Sequence, residues 1–194
     1  MDGGRNLEQR IAERVRGLRA ARGLTLEELA ERSGVSRSMI SLIERGESSP
    51  TAVLLERLAS GLDVSLASLF DAPGPTPEPL VRRTDQPQWR DPASGYLRRN
   101  VSPGGFPSPI QIVEIELPPN AQVAFDNGAR DIRVHQQVWV LQGAIEVRVG
   151  EERYQLQGGD CLAFVLDRPT AFHNRTGKLA RYAVVVVSQS ERSR

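Results

Sequence analysis

The chain has 194 residues, a formal net charge of +1 and a single cysteine. That length allows one large domain or two small ones, and the balanced charge is not the footprint of a strongly basic nucleic-acid binder. One cysteine excludes an intramolecular disulfide. No apolar run is long enough for export or a membrane span, so a soluble, cytoplasmic chain with no membrane partner is expected.

In chain order, Leu7, Ile11, Val15 and Leu18 lie on one apolar stripe that predicts a first helix. The local charge is basic: Arg5, Arg10, Arg14, Arg16, Arg19 and Arg22 stand against Asp2, Glu8 and Glu13. Residues 22–46 then read as two short helices joined by a tight turn. Thr25 caps the first, and Glu28 completes a capping box. Leu26, Leu29 and Ala30 form its buried face, and Gly34 stops it because glycine accepts a left-handed backbone. Ser36 caps the second helix, which runs to about Arg45 with Met39, Ile40 and Ile43 inward. Arg37, Ser38, Ser41 and Leu42 are left on the outer face, short or hydrogen-bonding groups that suit base edges in a groove. Ser49-Pro50 is read as the cap and first residue of a fourth helix ending at Gly61. Ser65 caps a last short turn to Leu69-Phe70.

Five helices in about 65 residues, with Arg19, Leu24-Thr25, Leu29-Ala30, Gly34-Val35-Ser36, Ile43-Glu44-Arg45-Gly46 and Pro50, resemble the XRE-type helix-turn-helix domain of phage (lambda) repressors. The resemblance covers the first third of the chain. It implies base contacts from Arg37, Ser38, Ser41 and the Leu42 position, and phosphate contacts from Thr25, Ser36 and Arg45. It also implies a structural ion pair between Arg19 and Glu44 that holds the recognition helix at its angle. Leu42 departs from the polar residue often found there and could meet a thymine methyl or pack.

Residues 71–79, DAPGPTPEP, hold four prolines in nine residues and predict an extended, semi-rigid spacer. Residues 1–70 are thus expected to be the DNA-binding domain, 71–79 a linker and 80–194 a second domain. Beyond the linker the period changes. IQIVEIEL (110–117) alternates, and QVWVLQG, AIEVRVG, RYQLQGG, CLAFVL and YAVVVVS follow, divided by Gly, Asp or Pro. Short strands at regular spacing predict an all-β sandwich or small barrel. Cys161, inside an apolar run, is expected to be a buried, unreactive strand thiol.

Residues 138–177 resemble the cupin barrel, which sets the expected fold: multidomain α plus β, a five-helix DNA-binding domain and a cupin-like β-barrel. In the second cupin motif Gly159 and Asn174 match the two ends. The Pro and inner Gly positions fall on Val165 and Asp167, and the His position on Thr170. The Glu position of the first motif falls on Gln136. The paired His positions fall near Arg130 and Ile132, or on Asp126 and Gly128 by the alternative count. His135 and His173 miss these positions, and a one-residue slip on a strand turns a side chain to the opposite face. No metal, no cofactor and no catalytic set is therefore expected. Strand parity places Gln136, Val138 and Val140, with Thr170, Phe172 and Asn174, toward an effector pocket, and Tyr96 and Arg98 could add a phenol and a positive charge. Trp139 has the opposite parity and is expected at a sheet or subunit interface.

The expected function is sequence-specific transcription regulation. The helical domain would bind double-stranded operator DNA as part of a homodimer, and the β domain would sense a small-molecule effector. Two alternatives remain open: a cupin enzyme (isomerase or dioxygenase) with a helical docking module, and a dimeric repressor that senses nothing.

Overall fold

The computed structural model describes residues 3–70, 78–127 and 132–190. The first stretch folds as α1 (Gly3–Ala21), α2 (Leu26–Ser33), α3 (Arg37–Glu44) and α4 (Ala52–Gly61), followed by a five-residue 3-10 helix, Leu66–Phe70. The expected fifth helix is thus a single tight turn, because five residues are too few to offset the entropy of an α-helical nucleus. Leu7, Ile11 and Val15 of α1, Leu29 of α2, Ile40 and Ile43 of α3, and Leu55 and Leu58 of α4 bury together.

Local chemistry sets most of these boundaries. At α2, the Thr25 hydroxyl accepts from Glu28 N at 3.2 Å while the Glu28 carboxylate accepts from Thr25 N at 2.7 Å. Gly34 ends the helix at φ 65. The start of α4 differs from the sequence reading. Thr51, not Ser49, is the cap, its hydroxyl accepting from Leu54 N at 3.3 Å, and Pro50 lies buried just ahead of it. Ser and Thr cap about equally well, so burial of Ala52, Leu55, Leu58 and Ala59 decides the register. Gly61 also has a packing role, since a β-carbon there would stand 2.9 Å from Ser33 Cβ where α4 crosses α2.

The remainder is antiparallel β structure: β1 (Gln88–Arg90), β2 (Leu97–Asn100), β3 (Ile110–Leu117), β4 (Gln122–Phe125), β5 (Ile132–Gln142), β6 (Ala144–Val149), β7 (Glu152–Gln157), β8 (Cys161–Val165), β9 (Thr170–His173) and β10 (Ala180–Ser190). They form a six-stranded sheet, β1-β2-β3-β10-β5-β8, facing a four-stranded one, β4-β9-β6-β7. No ladder joins the two sheets among the described residues, where the strands form a two-sheet antiparallel β domain. The chain passes from β5 to β6 through Gly143 at φ 81, a bend that carries it from one sheet to the other and interrupts pairing.

Alternation along each strand fills the space between the sheets. Val113, Ile115 and Leu117 of β3, Val138 and Val140 of β5, Ile145 and Val147 of β6, and Phe172 of β9 are all buried. The same alternation corrects the reading of Cys161. On β8, an edge strand, Leu162 and Phe164 pack against the core while Cys161 turns outward and is exposed. Trp139 also lies on the outer face, 50% exposed.

The two halves are not separate bodies on a spacer. One apolar cluster runs from Leu69 and Phe70 into Trp89 and Tyr96. The Phe70 and Trp89 rings lie 5.7 Å apart, and those of Trp89 and Tyr96 5.9 Å apart at 77°. Polar contacts frame it: Ala52 N donates to Asp91 Oδ1 at 2.9 Å, Ser65 Oγ to Gln111 Oε1 at 2.6 Å, and Arg57 pairs with Asp126 at 2.8 Å. Of the expected linker, 71–77 lie outside the described residues, as do Gly128 and Arg130.

Candidate nucleic-acid interface and ligand cavity

The outer face of α3 is built from its cap. The Ser36 hydroxyl accepts from Met39 N at 3.3 Å and lies 3.2 Å from the Ser38 hydroxyl, which fixes the first turn. Arg37 projects from that turn with 67% of its side chain exposed, 3.9 Å from Glu27. Ser38 is exposed, and Ser41 and Leu42 are half-buried on the same helix. Arg45 is already engaged. It forms an ion pair with Glu47 at 2.8 Å and donates to Ser41 Oγ. The hydrogen bond from Arg45 holds the Glu47 carboxyl below the usual range. Thr25, similarly, donates its hydroxyl to Glu28 at 2.8 Å, and Thr25's amide and hydroxyl lower the Glu28 pKa. The Thr25–Glu28 contact is the capping box read from sequence, whereas the Arg45–Glu47 pair carried no such signal.

Behind that face, Arg19 Nε and Nη2 donate to the two Glu44 oxygens at 2.7 and 2.8 Å, a fork-on-carboxylate pair. Arg19 Nη1 also donates to Leu24 O at 2.8 Å. The two side chains are 17% and 7% exposed. The Glu44 carboxylate raises the Arg19 pKa further. The pair ties the end of α3 to α1 and to the loop entering α2.

The second feature is a cavity of about 80 Å³ between the two sheets. Tyr96, Arg98, Gln136, Thr170 and Phe172, five residues expected on the pocket, line it. Val138, Val140 and Asn174 do not. The two valines are wholly buried in the core further along β5. The Asn174 amide donates to the carbonyls of Leu117, Pro118 and Lys178 at 3.0, 3.0 and 2.7 Å, so it fastens a loop. Correct strand parity had placed all three inward, but a cavity occupies only part of an inner face.

Other lining residues were missed: Asn127, Tyr182, Glu56 and the Ser65–Ala67 turn. Asn127 Nδ2 donates to Thr170 Oγ1 at 2.8 Å and to Arg168 O at 3.1 Å. The Phe172 and Tyr182 rings stack at 5.7 Å. Burial pushes the Tyr96 and Tyr182 phenols well above their ordinary range, the nearby Arg98 pulling each back in part. The Arg98 guanidinium sits 4.9 Å over the Phe70 ring. Glu56 did carry a sequence signal: Ala52, Leu55, Glu56 and Ala59 are spaced as one helix face, and a carboxylate inside that buried arc is unusual.

Gln136 and Thr170, the residues that motif spacing assigns to the Glu and His positions of a metal-binding cupin, line the cavity with an amide and a hydroxyl, which suit a transition metal poorly. His135 is exposed on the outer face of β5, and His173 is not on the cavity wall.

Comparison with known proteins places the chain. A family model described as Helix-turn-helix (HTH_3) matches residues 15–69. The crystal structure of an HTH_3 family transcriptional regulator from Vibrio cholerae superposes with a TM-score of 0.77 at 30% identity, over 94% of this chain and 97% of that one. The HTH-type transcriptional regulator PuuR of Escherichia coli is 26% identical over 87% of this chain and 89% of its own. The regulator SutR of Escherichia coli is 41% identical over 68 residues, and SinR of Bacillus subtilis 40% over 62; the chain spans only 38% and 56% of their lengths. Matches at both scales, one through the helices and one along nearly the whole chain, lead to one assignment: the chain belongs to the helix-turn-helix (HTH_3) family of transcriptional regulators.

Proposed function

We propose that the protein is a sequence-specific, DNA-binding transcriptional regulator that acts as a homodimer and senses a small molecule in its β-domain cavity. Residues 1–70 would read DNA, 71–79 connect, and 80–194 sense and dimerise. The observation that carries this is the geometry of α3. Its first turn projects Arg37 and Ser38 into solvent while the Arg19–Glu44 pair holds its far end. Such a helix presents side chains to base edges in the major groove, Arg37, Ser38 and Ser41 by hydrogen bonds and Leu42 by apolar contact. Thr25, Ser36 and Arg45 would meet phosphates, Thr25 and Arg45 by exchanging Glu28 and Glu47 for the DNA backbone. A paired protein calls for half-sites one helical turn apart, about 10 bp centre to centre.

Selection from random duplexes tests the reading. It should recover a two-fold symmetric operator, and Arg37→Ala should weaken that operator by ~1–3 kcal/mol at matched salt, relaxing preference at one base pair per half-site. Equal affinity of the variant and wild type would show that α3 is not the reading element.

The β domain is read as a sensor rather than an enzyme. Its cavity offers Gln136, Thr170 and Asn127, neutral groups that orient an organic ligand, and neither histidine lines it. Gln136→Leu should abolish any effector response and leave effector-free operator binding intact. One equivalent of tightly held transition metal per chain, found by elemental analysis, would revive the enzyme reading.

A further inference from the structure

The inward row of β5 reads Val134, Gln136, Val138 and Val140, an amide in a line of valines. Packing alone would favour a fourth valine there, since Gln136 stands beside Val186 of β10 and Phe164 of β8. Gln136 is 8% exposed, lines the cavity and makes no hydrogen bond to another described residue. A buried amide left without partners is costly, so its place on the wall points to a group that binds there.

Most other polar groups on the wall are occupied. Asn127 Nδ2 donates to Thr170 Oγ1 and Arg168 O, and the Ser65 hydroxyl donates to Gln111. Glu56 and Arg98 both interact with other groups of the protein, Arg98 with the Phe70 ring and the Tyr96 phenol among them. A net charge on a ligand would therefore leave water without gaining a free counter-charge, which disfavours anions, cations and zwitterions alike. The rest of the wall is largely apolar, with Val113, Ile115 and Val184 on one sheet and Phe172 of the other stacked on Tyr182. The volume also favours a compact ligand over a drug-sized one.

The Gln136 amide presents a donor, Nε2–H, and an acceptor, Oε1, side by side. Its complement is a group with an acceptor and a donor at the same spacing, which a primary carboxamide or a lactam supplies because its N–H lies cis to its carbonyl. A ketone or ester accepts but cannot donate, and leaves Oε1 buried and unpaired. An open-chain secondary amide holds its N–H trans to the carbonyl and cannot meet both atoms at once. We propose that the cavity binds a compact, uncharged carboxamide or lactam, its carbonyl accepting from Gln136 Nε2 and its N–H donating to Gln136 Oε1, with its apolar body against Phe172 and the valines. The inference rests on reading the cavity as the sensor site. Leu66 and Ala67, from the 3-10 turn of the helical half, line the same cavity, so the bound ligand touches both halves. A ligand that binds differently to the docked and undocked arrangements shifts operator affinity, and operator DNA shifts ligand affinity by the same factor.

The test uses the full chain with benzamide and δ-valerolactam as probes, binding read by calorimetry and operator affinity by fluorescence anisotropy. At least one probe is expected to bind and to change operator affinity fivefold or more. δ-Valerolactone, methyl benzoate, N-methylbenzamide, benzoate and benzylamine should each bind at least tenfold more weakly than the parent probe. Gln136→Glu, which keeps an acceptor and loses the donor, should weaken the probes tenfold. In the wild type, the Gln136 side-chain N–H resonances should move downfield when a probe is added, a readout that survives misfolding of the variant. If the lactone matches the lactam, if a charged analogue binds more tightly, or if the Gln136 resonances stay in place, the amide class is wrong and the sensor reading stands. The same holds if Gln136→Glu binds the probes like wild type, or if only another metabolite class binds. A probe that binds selectively and leaves operator affinity unchanged supports the ligand class and overturns the sensor reading. If nothing in a broad metabolite panel binds, the inference and the sensor reading fall together.

Discussion

Glu44 shows how one side chain can matter to DNA binding without meeting DNA. Both its oxygens are taken by Arg19, and the pair is largely shielded from water. Truncating it leaves a guanidinium with half its partners inside a protein wall, which costs far more than an exposed pair is worth. Glu44→Ala is therefore expected to destabilise the chain by on the order of 3 kcal/mol, lowering Tm by about 6–12 °C for a chain of this size. An unchanged melting temperature would show that the pair contributes nothing. Tyrosine gives a second test at this scale. The chain has three, and all have raised pKa values, Tyr96 and Tyr182 by burial and Tyr154 through its hydrogen bond to Glu152. A folded pKa above the unfolded one means the fold favours the neutral phenol. The stabilisation is complete below the unfolded value of about 10 and declines as pH rises beyond it. In an alkaline titration, the phenolate absorbance of buried Tyr96 and Tyr182 should appear together with loss of fold. Reversible ionisation of all three tyrosines in the folded chain would contradict this.

Among the elements, α2 and α3 were the most legible, because their signals are local: the Thr25–Glu28 box, the Gly34 stop and the Ser36 cap all act within a few residues. The start of α4 was less legible, because part of its cap is remote. Asp91, which stands 39 residues from Ala52 in sequence and is 2% exposed, accepts from Ala52 N at the first turn and from Ser94 N at 2.8 Å. No periodicity links an aspartate beyond a proline-rich stretch to a helix ahead of it. Its placement stabilises α4 through the helix dipole and fixes the helical half against β1. Asp91→Ala should cost about 1–3 kcal/mol, the range for removing a charged partner from a buried donor, and Asp91→Asn less, since an amide oxygen still accepts. Unfolding of Asp91→Ala at wild-type denaturant concentration would show that the contact is incidental. Cys161 misled for a related reason: an apolar run predicts a strand but does not say whether one face or two are covered.

At the scale of the whole molecule, the sequence revealed two halves but not the way they join, since Phe70, Trp89 and Tyr96 pack only through tertiary contact. The cavity was partly legible by parity and incomplete without Glu56 for the same reason. What remains outside that joined core is the outer face of the six-stranded sheet. Ladder register sets Ile112 beside Val185, Ile110 beside Val187, and Trp139 between Ala183 and Cys161, with Glu114, His135 and Gln137 interleaved on the same face. Ile110, Ile112 and Trp139 are among the most exposed large apolar groups described. Large exposed apolar groups gathered on one face and set among polar ones mark an interaction site. A second copy is the occupant the reading requires, because two recognition helices must meet two half-sites related by a two-fold axis. In such an isologous contact each substitution enters twice, so Trp139→Glu places two carboxylates in one apolar interface. The variant should run as a monomer by light scattering. Its operator affinity should drop at least tenfold, by the loss of one half-site per bound chain, while the fold of each chain is kept because the side chain is exposed within it. A dimer that survives Trp139→Glu would place the two-fold axis elsewhere and leave this face for a different partner.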